Sequence, residues 1–464
     1  MAWRDAAMRA AFAAGALVVT LLVAVGTAQP SSSAGRLVVP VLALAGAVIA
    51  LSLRVELVFL GWLLVAPLLQ ESADVHRVGH VLVLALYVAP PLLLLAWTLS
   101  RHGSRVRPSA LDVLPAAYAA YVVGSLVLTT SNLSNDLFGT AKAVWLTVGI
   151  GIVLYYFAAF GPLGTLGPVT IVRAFLVAVV IQEAMAIVDG LSGWNLWGDS
   201  GWRAGVARAV STLANPGVLG TYVGMGIVIA LSIFVWNGPA SLRRLAVAAV
   251  LLGLPAIFVT YTRGPIIAVL VVGTFIAITR PATRLAAACT FVVATALIVA
   301  SWGDITGTTV YQDRVANRSN VQARVLIQDW SLKLAQEKPL FGWGYGSFDR
   351  VKNEKAATFS THGIPVDYGT SNTSHSTYLT VLVEYGGIGL LLGVAPLLII
   401  CWRSATEALR RPDARWLLTA LASAVIVYAI SASTLDMRFF SLVPSLPWLF
   451  LGLLRREQLA TSDA

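Results

Sequence analysis

His375 and a handful of arginines are the side chains of this sequence best suited to chemistry. His375 stands in TSNTSHSTYLTVLVEY, where a polar stretch gives way to an apolar run. An unperturbed imidazole titrates near ~6.5, so it can take or give a proton close to neutral pH. Arg203 and Arg208 lie in SGWNLWGDSGWRAGVARAVSTLANPGVLG, and Arg263 lies in VTYTRGPIIAV, a very short turn between two apolar runs. A guanidinium is permanently charged and presents a donor fork that matches phosphate oxygens. The ordinary alternative for such an arginine is snorkelling to a lipid headgroup. For a lone boundary histidine it is a structural bond to backbone. Glu384 is an obvious partner for His375, but nine residues on a continuous helix is about 900°, half a turn off, with about 13 Å of rise. That separation makes Glu384 a supporting residue rather than half of a direct dyad.

These residues have to be positioned by a membrane protein. The chain is 58% hydrophobic and 12% charged, with a mean hydropathy of +0.80, whereas a soluble domain carries about 25% charged residues. Apolar runs long enough to span a bilayer centre on residues 10–28, 37–53, 55–69, 80–99, 110–128, 141–160, 169–188, 217–236, 245–259, 266–279, 285–301, 376–401, 416–434 and 440–454. The expected fold is all-α and polytopic, with about 12–14 transmembrane helices; the runs 55–69, 245–259 and 266–279 are short enough to be tilted, broken or re-entrant. The first run reads as a retained helix rather than a cleaved signal. Cys289 and Cys401, the two cysteines, both sit in apolar runs and offer neither a disulfide framework nor a thiolate metal site.

Orientation follows from the loops. With the N-terminus inside, 17 of the 32 basic residues fall on the cytoplasmic side, among them Arg243, Arg244, Arg280, Arg284, Arg403, Arg410, Arg411, Arg455 and Arg456. The opposite phase would put the strongest basic clusters outside, against the positive-inside rule. This distribution also accounts for most of the formal charge of +10, so nucleic acid is not implied as a partner. The long polar stretch from Trp302 to His375 is then extracytoplasmic. It holds eight Lys/Arg and seven Asp/Glu of the chain's 54 charges. Within it, Ser319 and Gln322 resemble a capping box, and Ile327, Trp330 and Leu334 recur as on an amphipathic helix. Pro339 ends that helix, FGWGYGSF reads as a glycine-rich turn, and 351–374 reads as a lid-like loop. Three units result: an N-terminal transmembrane bundle over 1–301, an extracytoplasmic loop domain over 302–375, and C-terminal transmembrane helices over 376–464.

Other patterns are weaker. His76 and His80 are four apart, without an obvious third ligand, so no metal site is expected. Gly342, Gly344 and Gly346 have no strand-turn-helix around them and do not make a dinucleotide loop. Glu183 and Lys142 sit near span ends, where polar side chains commonly face the bundle. No Walker loop, serine triad or DxD-type metal-nucleotide site is present.

Four stretches together resemble one family. RVLIQDWSLKLAQEKPLFGWGYGSF is similar to the R-(x)-W-x-x-A-(x)-P-L-x-G-x-G-x-x-x-F segment of the O-antigen ligase and O-antigen polymerase (Wzy-C-type) superfamily, matching at Arg324, Trp330, Pro339, Leu340, Gly342, Gly344 and Phe348. HSTYLTVLVEYGGIGL resembles its H-N-x-Y-L-x-x-L-x-E-x-G-x-x-G, with His375, Tyr378, Leu379, Leu382, Glu384, Gly386 and Gly389 in register. YTRGPIIAVL resembles its S-R-G-A segment at Arg263, and RAVSTLANPGVLGTYV its R-x-x-G-T-F-x-N-P-N stretch at Arg208, Thr212, Asn215 and Pro216. The resemblance covers roughly residues 200–400. Ser376, Gly217, Thr262, Pro265 and Ser211 depart from it without removing a charged or titratable group.

The resemblance implies a GT-C-like glycosyltransferase of the cytoplasmic (inner) membrane, with its active site facing the periplasm. It would move a glycan from a polyprenyl (undecaprenyl) pyrophosphate donor to an acceptor hydroxyl, inverting the anomeric carbon and using neither metal nor other cofactor. The acceptor would be a lipid, a glycan or the cell wall, and membrane lipids would surround the site. In this picture Arg208 and Arg263 hold the pyrophosphate, and His375 orients or deprotonates the acceptor. Arg324, Arg203, Asn215, Tyr378 and Trp330 are the expected substrate-binding residues. Trp194, Trp197, Trp202, Trp330 and Trp343 can stack on sugars or form an interfacial belt. The reading from another class is a lipid-linked oligosaccharide flippase or polysaccharide exporter, whose pyrophosphate passenger would want the same arginines. A non-catalytic scaffold is a third.

Overall fold

A computed structural model describes residues 55–75, 109–129, 143–161, 166–194, 208–285, 302–307, 319–360 and 373–462, apart from two positions within these ranges and with a few isolated ones outside them. Among the described residues there is no strand, and the fold is an all-α, polytopic membrane protein. In chain order the helices are α1 (Val55–Val75), α2 (Ala110–Ser125) and α3 (Ile150–Phe160, entered through a π turn at Trp145–Gly149). They continue as α4 (Pro168–Ser192), α5 (Pro216–Val235), α6 (Ala240–Val259), α7 (Arg263–Thr279) and the short α8 (Trp302–Gly307). The rest are α9 (Ser319–Glu337), α10 (Phe348–Ser360), α11 (Thr377–Arg410), α12 (Arg415–Ala432) and α13 (Leu446–Ser462). Five of the described helices, α4, α5, α6, α11 and α12, are long and apolar enough to cross a membrane. The runs at 10–28 and 37–53, and residues 286–301 of the run 285–301, lie outside the described residues.

The core is built around α5, which is buried nearly throughout and packs against α4, α6, α7 and α12. Its sequence shows how: Gly220, Gly224 and Gly226 face Thr262 and Pro265, Val269 and Val427, and Val179, so neighbouring helices approach the α5 backbone closely. Small residues at such contacts are the usual device where lipid offers no hydrophobic drive between helices. The run 245–259, short enough to be tilted, broken or re-entrant, belongs to one continuous helix that begins at Ala240, while α7 has 17 residues, about 25 Å.

Outside the main core, Ile327, Trp330, Leu334, Ala335, Phe348, Val351 and Val383 form a smaller apolar cluster. The periodicity of Ile327, Trp330 and Leu334 therefore does mark the buried face of a helix. The loop expected from 351 onward is corrected over its first ten residues, since α10 runs to Ser360. The reason is local: Phe348 and Val351 bury on one side, while Arg350–Glu354 (3.0 Å) and Lys352–Asp349 (3.0 Å) pair along the helix. Residues 361–372 lie outside the described set.

Helix α11 is interrupted. Gly386 has φ 65° and ψ −171°, a conformation closed to other residues, so the helix restarts there. The break receives the glycine-rich turn: Trp343 and Gly344 donate to the carbonyls of Val383 (2.9 Å) and Glu384 (2.7 Å), and Gly387 and Ile388 donate to those of Pro339 (2.7 Å) and Leu340 (3.2 Å). Four backbone bonds thus clamp the 339–344 turn onto the break, near the start of the helix that His375 precedes.

Candidate active site

The turn that carries Arg208 is folded by local polar contacts. Asp189, near the end of α4, accepts from the backbone of Val210 and Ser211 (both 2.9 Å). Ser211, at φ 52°, donates its hydroxyl to Gln182 (2.7 Å), and Thr212 donates to the Pro67 carbonyl (2.7 Å). Asn215 caps α5, its side chain accepting from Gly217 (2.8 Å) and Val218 (3.4 Å), with Pro216 at the first helical position.

This turn lies against the one that carries Arg263. Arg208 Nε donates to the Thr260 carbonyl (3.0 Å), and Ala209 donates to that of Val259 (3.0 Å). Thr262, just before Arg263, donates to the Pro216 carbonyl (3.3 Å) and shares a 2.5 Å hydroxyl contact with Thr260. Arg263 is exposed at the first position of α7, and Arg208 is half-buried. The next residue, Gly264, is so close to Thr434 that a methyl group there would collide with its hydroxyl. Arg263 therefore adjoins a third turn, residues 433–438, which links α12 to the 3-10 turn Met437–Phe439.

The third turn reaches His375. The Thr377 hydroxyl donates to the Leu435 carbonyl (3.0 Å) and accepts from the Met437 N–H (2.9 Å), so it bridges the residues on either side of Asp436. His375 is half-buried and held at φ 56°, with its N–H on Thr373 (3.2 Å). Behind it Ser374 and Thr380 share a 2.7 Å hydroxyl bond, and Ser376 caps α11. Burial lowers the imidazole pKa below its ordinary value, the Arg324 charge lowers it further, and Asp436 opposes both. Arg324 itself is exposed on α9.

Beneath these lies an ion cluster that sequence reasoning passed over. Arg438 binds both oxygens of Asp436 (Nε and Nη2, each 3.0 Å) and Glu384 (Nη1, 2.7 Å), and the second Glu384 oxygen accepts from the Phe348 N–H (3.3 Å). Asp436 and Glu384 are each only 2% exposed. Burial alone would lower the Arg438 pKa, but Asp436 and then Glu384 hold it well above the ordinary value. Glu384 is thus a supporting residue, as the half-turn offset indicates. Its partner in STLDMRFF is 54 positions away, and no local pattern announces it.

Three expected substrate-binding residues have other partners. Asn215 is the α5 cap. Tyr378 donates its hydroxyl to the Ala429 carbonyl (2.8 Å) between α11 and α12. Trp330 is 5% exposed inside the small apolar cluster, leaving no ring face for a sugar. Trp343 is half-buried, bonded through its indole N–H to the Leu334 carbonyl (3.0 Å) with Lys338 over its ring at 4.0 Å. Trp194 is exposed at the end of α4, while Arg203, Trp197, Trp202, His76, His80 and Lys142 lie outside the described residues. Glu183 is fully buried beside Gly253, and neither of its oxygens has a hydrogen-bond partner.

Residues 247–394 match the family model Wzy_C, described as O-antigen ligase. The match spans Arg263, Arg324, His375 and Glu384, and leaves Arg208, Asp436 and Arg438 outside it. No curated protein matches the chain.

Proposed function

We propose that the chain is a membrane glycan ligase or polymerase with a specific donor, face and chemistry, a reading supported by the O-antigen ligase family match over residues 247–394. The donor is a glycan on polyprenyl pyrophosphate, and the acceptor is a hydroxyl of a lipid, a glycan or the cell wall. Transfer takes place at the extracytoplasmic face of the cytoplasmic membrane. The supporting observation is that the turns carrying Arg208 and Arg263 and the junction carrying His375 are joined in series through Thr260–Thr262 and Thr434–Met437.

The chemistry follows from that juxtaposition. The acceptor oxygen attacks the anomeric carbon as the bond to the pyrophosphate oxygen breaks, which inverts the centre. Negative charge builds on the leaving pyrophosphate, and Arg208 and Arg263 supply fixed positive charge there. His375, neutral because its pKa is lowered, takes the acceptor proton. Arg324 holds the donor or the α9 segment near it. No step calls for a metal or nucleotide. Residues 302–375 serve as the outer cover of the site, between the bundle of 1–301 and the helices of 376–464.

The test is complementation of a strain lacking the gene. R208A, R263A and H375A should each reach the membrane at normal levels and fail to restore the surface polysaccharide. Wild-type polysaccharide from all three would overturn the assignment. Deletion also separates the two activities: accumulation of full-length lipid-linked polymer marks a ligase, and single units without a ladder mark a polymerase.

A further inference from the structure

The cluster of Asp436, Arg438 and Glu384 has no assigned part in the transfer outlined above. Two features give it one. First, its placement relative to His375 is fixed by one side chain: the Thr377 hydroxyl, two residues after His375, is bonded to the residues immediately before and after Asp436. Second, its charges do not balance. Two buried carboxylates meet one guanidinium, with Asp436 gripped at both oxygens and Glu384 at one. The turn tied to Thr377 therefore carries more buried acid than base, in a place where water screens it little.

We propose that Asp436, clamped by Arg438 and tied to Thr377, is a positioning residue that counters the Arg324 charge at the His375 imidazole. Among the described residues, two charged groups bear on that ring: Arg324 from α9, which disfavours the imidazolium, and Asp436 from the 433–438 turn, which favours it. Glu384 and Arg438 act through Asp436, Arg438 by holding its carboxylate and Glu384 by holding Arg438. Glu384 also accepts from the Phe348 N–H at the start of α10, so the same cluster anchors the outer helices to the span behind His375. The link to transfer rests on the role given to His375 above, whereas the titration does not.

The experiment reads the imidazole directly. In the full-length protein in membranes, His76, His80, His102 and His362 are replaced by Gln, and the rate of carbethoxylation by diethylpyrocarbonate is followed against pH. Only neutral imidazole reacts, so the midpoint reports His375. D436N should move the midpoint down by several tenths of a pH unit, D436E should leave it in place, and R324Q should move it up. A D436N protein present in the membrane with an unchanged midpoint, alongside a shifted R324Q, overturns the proposal. Should D436N fail to accumulate, T377V decides: with the hydroxyl that ties down the residues flanking Asp436 removed, the midpoint must fall, and no fall overturns it. Midpoints that shift as expected while H375A restores wild-type polysaccharide would instead refute the role of His375 in transfer and leave the positioning intact.

Discussion

At the scale of single residues, the cluster around His375 combines a histidine kept neutral with an arginine kept charged. The folded pKa of His375 lies below its ordinary value through burial first and Arg324 second. Transfer that uses the neutral ring should then hold down to about pH 6.5 and fall only at lower pH, as the imidazolium forms. The same shift has a stability consequence of defined sign. The unfolded chain binds a proton at His375 more readily than the folded chain does, so this residue costs nothing well above the ordinary pKa and destabilises the protein as pH falls below it. An acid limb placed above the ordinary histidine range in a membrane transfer assay would contradict this. Arg438 carries a second expectation. Removing it leaves two carboxylates buried without their shared cation, a change that costs about 3–5 kcal/mol in comparable buried pairs. R438Q should therefore lower the thermal midpoint of detergent-solubilised protein far more than loss of the exposed Arg350–Glu354 pair, worth about 0.3–0.5 kcal/mol; equal losses would show the cluster to be solvated.

At the scale of elements, the two longest motif stretches of the chain turn out to be the two sides of one joint. Pro339–Gly344 and Val383–Ile388 exchange four backbone hydrogen bonds, and the glycines are where the joint has no room. A methyl on Gly342 would collide with the Glu384 carbonyl, and one on Gly386 with the Leu340 carbonyl; both residues also have positive φ. Gly346 shares the positive φ, 68°, but has open space around its Cβ position. G346A should consequently cost about 1–2 kcal/mol, the backbone penalty alone, while G342A and G386A should cost clearly more and abolish folded protein or its activity. Thermal unfolding of the three variants ranks them, and a G342A no worse than G346A would mean the joint is loose. This contrast also shows what a sequence can reveal. The motif spacing, the amphipathic face of α9 and the apolar run that becomes α5 are local patterns and were legible. The reasons for the glycines, and the pairing of Glu384 with Arg438, are not: each depends on a contact between segments tens of residues apart. Trp330 misleads for the same reason, since a tryptophan in a polar stretch looks like a sugar platform until Phe348 and Val351 are seen to cover it.

At the scale of the molecule, charged side chains collect at two separate ends of the bundle, and α7 measures the distance between them. Arg263 begins the helix, and Arg280, just past its end, donates to the Val235 carbonyl where α5 finishes. Around that second end Arg415 lies over the Trp236 ring at 4.9 Å. Arg455 grips both oxygens of Asp112 (2.7 and 2.8 Å), and Arg456 donates to the Ala158 (2.7 Å) and Gly161 carbonyls. The basic residues that the positive-inside rule assigns to the cytoplasm are thus used as staples between α2, α3 and α13, whereas the opposite end carries His375, Arg208 and the Arg438 cluster. The two ends must face opposite compartments if the site receives a lipid-linked glycan from outside. With Cys289 and Cys401 replaced, E354C on α10 should react with a membrane-impermeant maleimide in right-side-out vesicles, and L409C near the end of α11 should react only after permeabilisation. Both side chains are exposed, so access depends on sidedness alone. The reverse pattern would put His375 and its arginines in the cytoplasm, where a nucleotide-sugar donor would be the natural substrate, and would exclude the polyprenyl-pyrophosphate reading at its root.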